Sequence, residues 1–280
     1  MKHGSLFSGI GGFDLAAEWM GWENVFHCEK EPYQRSVLKK RFPQSKSIKD
    51  VKDIYRFTDE YQDLYGDREA MWCERHNKDF SDCECIGCSE WEDEIGQIDI
   101  LTGGFPCVDI TCAKNAVEKP KGLSGAESGL WYEYKRIIGC LRPKYAVVEN
   151  SSNIAIRGLY SIIGDFTELR YDCIWFTVSA SRVGATHKRR RTFIVANSNE
   201  QGLERDVCKK LAGEIKRRFD PNTCRSNWWR TEPGLDRLAN GVSGGVDFKK
   251  QRLEAGGNAV VPQVAFQIFK AIQEYELTNG

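Results

Sequence analysis

The sequence predicts an α/β protein built on a mostly parallel sheet, with a small second domain attached. Three observations point there. Strand and helix signals alternate through the first hundred residues. Glycines stand directly after the first strand and before the first helix, in FSGIGGFDLA. After Asn197 the alternation gives way to a basic stretch containing Gly, Asn and Trp, including SNWWR. At 280 residues, 41% of them hydrophobic, the chain can bury one large core and carry an appendage.

HGSLF reads as a short strand and GIGG as a tight turn. FDLAAEWMG reads as a helix, with Phe13, Ala16, Ala17 and Met20 on one face. ENVFHCEKE is a second strand ending in acids, PYQRSVLKKRF a helix with proline in its first turn, and SIKDVKDI the region of a third strand. The segment Gly66 to Gln97, rich in Cys, Glu and Asp, interrupts the pattern as an insertion. The alternation resumes with IDILTGGF, a helix near SGLWYEYKRIIGCLR, the strand KYAVVEN, a helix near IRGLYSIIGDFTELR, and the apolar runs YDCIWFTVSA and RTFIVAN. The end of GGNAVVPQVAFQIFKAIQEY reads as an amphipathic helix packing back on the sheet. The expected division is a main domain over 1–196 carrying the insertion 66–97, a small region over 197–255, and a returning segment over 256–280.

Composition narrows the function. No apolar run approaches the roughly 18 residues of a membrane span, and the N-terminus lacks the apolar core of a secretory signal, so a cytoplasmic protein is expected. Eleven cysteines, an odd number, suit metal binding or catalysis better than a disulfide framework. Net charge is zero, yet Asp50 to Asp99 holds five basic against sixteen acidic residues, and Arg182 to Arg252 seventeen basic against eight acidic. The second segment should attract polyanions; two solvated faces of different sign are the alternative.

The glycines of FSGIGG place backbone N–H groups at a helix N-terminus, and Glu29 ends the second strand where it can accept hydrogen bonds from a ribose diol. The dinucleotide fingerprint fails, because Gly9 and Gly11 are followed by Asp14 in the last glycine position. A cofactor without a pyrophosphate fits better, and S-adenosylmethionine is the common one. In DILTGGFPCVDIT, Cys107 follows a strand, two glycines and a proline, a setting suited to a nucleophile outside the sheet. A small buried hydrophobe is the default reading for Cys140 and Cys173.

The ordered set FSGIGG, Glu29, GGFPC, VVEN, GATHKRRRTFIV and GGNAVVP resembles the motif series of the DNA cytosine-5 methyltransferases over nearly the whole chain. The resemblance implies an S-adenosylmethionine-dependent methyltransferase fold of Rossmann-like type. It makes Cys107 the nucleophile that adds to carbon 6 of cytosine, and Glu149 the acid at ring nitrogen 3. Arg189 and Arg191 are the pair that holds the base and stabilises charge. It assigns the cofactor to Phe7, Gly9, Gly11, Glu29, Asp50, Asn258 and Val260. Ser151, His187 and Val108 depart from the family's usual valine, glutamine and glutamine.

Cys73, His76, Cys83, Cys85 and Cys88 form C-x-x-H-x6-C-x-C-x-x-C in the insertion. Cys73, His76, Cys83 and Cys85 are the expected ligands of a structural zinc, with reduced surface cysteines as the alternative. The slot 197–255 corresponds to the family's target-recognition region. There Arg225, Trp228, Trp229, Arg230 and Arg237 are expected to meet DNA, unless the tryptophans form that region's own core. The sequence thus reads as a monomeric enzyme methylating a flipped cytosine in double-stranded DNA. A partner restriction endonuclease and a phage self-protection role both stay open. The rivals are an RNA (tRNA) cytosine-5 methyltransferase, a catalytically silent zinc-containing DNA-binding protein and, more distantly, a nicotinamide oxidoreductase.

Overall fold

The computed structural model describes residues 1–54, 72–73, 78–79, 95–106, 130–185, 187–198, 205–219, 256 and 259–279. In chain order the elements of the main body begin with β1 (Lys2–Leu6), α1 (Gly12–Trp19), β2 (Glu23–Cys28), α2 (Pro32–Arg41) and β3 (Lys46–Ile48). A separate antiparallel pair, β4 (Trp72–Cys73) and β5 (Lys78–Asp79), lies in the insertion. β6 (Ile100–Gly103), α3 (Leu130–Leu141) and β7 (Tyr145–Ser151) follow, then two short helices, α4 (Ile154–Arg157) and α5 (Leu159–Glu168). β8 (Tyr171–Ser179), β9 (Arg190–Ser198), α6 (Arg205–Arg218) and α7 (Pro262–Asn279) complete the order.

Seven strands form one sheet in the order β3-β2-β1-β6-β7-β9-β8. All neighbours are parallel except at β9, which runs against both β7 and β8. The expected mostly parallel α/β architecture is therefore what the chain adopts. Strand order reverses between β1 and β6, the point where open α/β sheets leave a crevice at the carboxyl ends of their strands.

The pleat sends successive side chains to opposite faces, and two cores result. Ala146 and Val148 of β7 join Leu101 on one face, covered by Trp131, Tyr134 and Ile138 of α3 and by Ile162 and Phe166 of α5. Tyr145 and Val147 join Ile100 on the other, covered by Phe13, Ala16 and Ala17 of α1 and by Ile268, Phe269 and Ile272 of α7. Burying strands on both faces is what makes their sequences near-continuous apolar runs. Pro262 opens α7 at the first helical position, where a missing N–H leaves nothing unpaired.

Two features differ from the sequence reading. The helix expected near IRGLYSIIGDFTELR is two helices, broken at Gly158, a residue that favours helix interiors poorly. The stretch after Asn197, where the strand and helix signals give way, carries α6, which buries Leu211 and Ile215 in the same core as α7. Arg217 Nη2 of α6 donates to Glu274 Oε2 of α7 at 2.9 Å, fastening the two helices. The five Lys and Arg residues of LERDVCKKLAGEIKRR beyond Arg205 hid the four-residue recurrence of Val207, Leu211 and Ile215.

Candidate active site at the carboxyl edge of the sheet

The crevice is lined first by the turn after β1. Phe7, Gly9 and Gly11 have φ of 50°, 58° and 86°, all left-handed, which lets the chain reverse within a few residues before α1 begins. Phe7 is the costly member, since it carries a side chain; its ring stacks on Tyr134 of α3 with centroids 6.4 Å apart. The space beside Gly9 is open, with no atom within 4 Å of where a Cβ would sit. Its N–H donates to Glu29 Oε2 at 2.7 Å, and the N–H of Glu31 donates to Glu29 Oε1 at 2.9 Å. Burial raises the Glu29 pKa, and these backbone donors oppose the rise.

Carboxylate oxygens accept more than one hydrogen bond, so Glu29 can still receive ribose hydroxyls. Asp50 follows β3, whose Ile48 carbonyl accepts from the Glu29 N–H at 3.1 Å, which brings the two acids to neighbouring strand ends. Asp50 Oδ1 caps the next turn by accepting from Lys52 N at 3.1 Å. Val260 closes the far side: a Cβ on Gly12 would lie 2.5 Å from its carbonyl oxygen. An open turn, an acceptor pair and a covering loop fit an adenosyl-type cofactor. A fully buried network lies beneath, in which Ser5 Oγ donates to Asp14 Oδ1 at 2.8 Å.

The second half of the crevice is made by β6, β7 and β9. A Cβ on Gly103 would meet Tyr134 Cε2 at 2.6 Å and the Leu6 carbonyl oxygen at 2.7 Å, and one on Gly104 would meet Glu149 Oε2 at 2.8 Å. Gly103 is therefore required by close approach to the sheet's own backbone and core, while a side chain at Gly104 would displace the Glu149 carboxyl group. Asn150 Nδ2 donates to the Phe105 carbonyl at 3.3 Å, tying the end of β7 to the segment leaving β6. Phe105 is buried against Trp131, with centroids 5.7 Å apart.

Glu149 is buried, and burial pushes its pKa up while Arg191 and Arg189 pull it down. Antiparallel pairing sets Ser151 opposite Arg191, which brings the start of β9 to the end of β7. Arg191 Nε lies 2.9 Å from Glu149 Oε1, an ion-pair distance. Its charge and hydrogen bonding favour the carboxylate, and burial outweighs them. Arg189 (φ 23°) donates from Nη2 to the Ala259 carbonyl at 2.7 Å, linking the residue before β9 to the segment that packs on Gly12. A carboxyl group that keeps its proton to higher pH, beside two guanidinium groups, can donate a proton or hydrogen bond to a ring nitrogen as negative charge develops there.

Of the residues singled out in the sequence, Phe7, Gly9, Gly11, Glu29, Asp50, Val260, Glu149, Arg189 and Arg191 line this one edge. Cys107 directly follows Pro106, the last described residue of its segment, and lies outside the described residues. Asn258, Arg225, Trp228, Trp229, Arg230, Arg237, His76, Cys83, Cys85 and Cys88 also lie outside them, and Cys73 is described in its backbone alone. Among the described residues, no group of three or more His, Cys, Asp or Glu is placed to hold a metal ion. No described helix is long and apolar enough to cross a membrane. Sequence reasoning missed the platform of Trp131 and Tyr134 under both halves; the aromatic spacing in LWYEY was its one signal.

The family model described as C-5 cytosine-specific DNA methylase matches residues 1–227. The type II methyltransferase M2.BsuMI of Bacillus subtilis is 27% identical over 208 residues, 70% of this chain and 42% of that one. The type II methyltransferase M.CviJI of Paramecium bursaria Chlorella virus IL3A is 35% identical over 100 residues, 35% of this chain and 26% of that one. This chain thus matches less than half the length of either relative. Among solved structures, the Entamoeba histolytica methyltransferase EhMeth aligns with a TM-score of 0.48 at 14% identity, over 73% of this chain and 55% of that one.

Proposed function

Because this chain belongs to the C-5 cytosine-specific DNA methylase family, we propose that it methylates carbon 5 of cytosine in duplex DNA. S-adenosylmethionine, when bound, supplies the methyl group. Phe7, Gly9, Gly11, Glu29, Asp50, Asn258 and Val260 hold and cover it. The observation that carries the reading is the close approach of buried Glu149 to Gly104, three residues before Cys107, with Arg191 at 2.9 Å.

The target cytosine leaves the base stack at a cost of a few kcal/mol, which contacts in the crevice offset. The Cys107 thiolate then forms a bond to carbon 6. Glu149 protonates or hydrogen-bonds nitrogen 3, so the electron pair displaced from the ring develops at carbon 5 rather than as unrelieved charge. After carbon 5 has taken its methyl group, a base removes the carbon-5 proton, the sulfur–carbon 6 bond breaks, and the free thiolate returns. Arg189 and Arg191 hold positive potential over the reacting ring throughout.

Residues 197–255 supply target recognition, with Arg225, Trp228, Trp229, Arg230 and Arg237 meeting DNA; α6, at the start of this stretch, packs on the main core. Cys73, His76, Cys83 and Cys85 hold a structural zinc, which metal analysis of the purified protein checks. The reading is tested by incubating the protein and S-adenosylmethionine with mixed-sequence duplex DNA and, in parallel, with tRNA, then mapping 5-methylcytosine base by base. Methylation at a defined motif in DNA is expected, and modification of tRNA alone would overturn it.

A further inference from the structure

A cavity of about 530 Å³ lies between β8 and α6, apart from the crevice. Among the described residues, β8 ends the sheet and pairs with β9 alone. Ile174, Phe176 and Val178 point to the α6 side and pack on the second core, while Trp175 on the other side is 50% exposed. Ile215 and Phe219 complete the apolar wall. Arg182 and Lys216 also line the cavity, both exposed, and neither pairs with an acid among the described residues.

The cavity has apolar walls with a few polar groups, and its volume lies within the roughly 300–1,000 Å³ typical of small-molecule sites. The charges select the ligand. A neutral hydrocarbon would use the wall and leave two cations idle. A phosphate alone would use the cations and leave the half-buried Phe176 and Phe219 facing water. We propose that the cavity binds a small amphipathic anion, an aliphatic or aromatic body bearing a carboxylate or sulfonate head. Phe176, Ile215 and Phe219 bury the body, and Arg182 and Lys216 take the head.

The test uses the full chain and 8-anilinonaphthalene-1-sulfonate, whose emission rises and shifts to the blue in an apolar pocket. One saturable equivalent is expected, displaced by dodecanoate. Ala212→Trp, on α6 and lining the cavity, should fill it and abolish the signal, with circular dichroism confirming the fold. Arg182→Glu with Lys216→Glu, both at exposed positions, should leave the fold intact and weaken binding about tenfold. Binding that survives both sets of changes overturns the proposal. So does displacement by cytidine monophosphate or an acidic peptide but not by dodecanoate.

Discussion

The two halves of the crevice are built by different means. Around β1 and β2, a turn of left-handed residues is held by neutral backbone donors on one carboxylate, Glu29, with a buried hydrogen-bond network beneath. Around β6, β7 and β9, the loop is shaped by absent side chains at Gly103 and Gly104, and the electrostatics are set by one buried acid between two arginines. On the proposed function, the first half's fixed acceptors and donors hold the cofactor, and the second's unbalanced charge serves the reaction. The contrast teaches that affinity and chemistry should separate by strand, and substitutions can break or sharpen it.

The largest effect is expected from Glu149→Gln, which keeps shape but removes the titratable proton. Methyl transfer should fall by about 10²–10⁴ while cofactor affinity, measured by calorimetry, stays put. Gly104→Ala follows, since its Cβ would press to 2.8 Å from Glu149 Oε2. Single-turnover rates should drop about a hundredfold, again with cofactor binding retained. The mirror experiment is Glu29→Gln, which should weaken cofactor binding by about tenfold and leave the rate at saturating cofactor nearly unchanged. If Glu29→Gln slowed the chemical step as much as Glu149→Gln, the division of labour would be lost.

The smallest effect concerns the network beneath the first half. Burial pushes the Asp14 carboxyl up from 3.8 to about 7, and its Oδ2 has no hydrogen-bond partner. The folded chain therefore holds a proton that the unfolded chain has released. This contribution to stability is complete below pH 3.8 and is lost as pH rises through about 7. His3 and His27, pushed down by burial to about 4, act the other way: their contribution is present above pH 6.5 and lost as pH falls. Asp14→Asn removes only the first of these. The difference in melting temperature, variant minus parent, should rise by about a few degrees between pH 4 and 8. A flat difference would mean that Asp14 is ionised in the fold.

Much of the first half was legible in the sequence, because glycines and strand-end acids are local signals: FSGIGG and Glu29 mark their own positions. Glu149, Arg189 and Arg191 were legible as strand ends, but their meeting was not, since it depends on β9 running antiparallel beside β7. The reason for Gly103 was hidden for the same cause: the atoms that exclude a Cβ there belong to Leu6 and Tyr134, both distant in the chain, and the carboxyl group beside Gly104 belongs to Glu149. α6 escaped notice because its charged residues outnumber its buried ones, and only packing against α7 reveals which face is apolar.

The proposed methyl transfer requires a bond between the sulfur of Cys107 and carbon 6 of cytosine. Duplex DNA carrying 5-fluorocytosine at the target position blocks loss of the carbon-5 substituent, so the bonded species should accumulate. With S-adenosylmethionine present, intact-mass analysis should find one equivalent of protein joined to DNA and methylated. Peptide mapping should place the link on Cys107, and Cys107→Ala should form none. Methylation of ordinary cytosine by a protein that forms no such adduct, or an adduct mapped to another residue, would contradict the account.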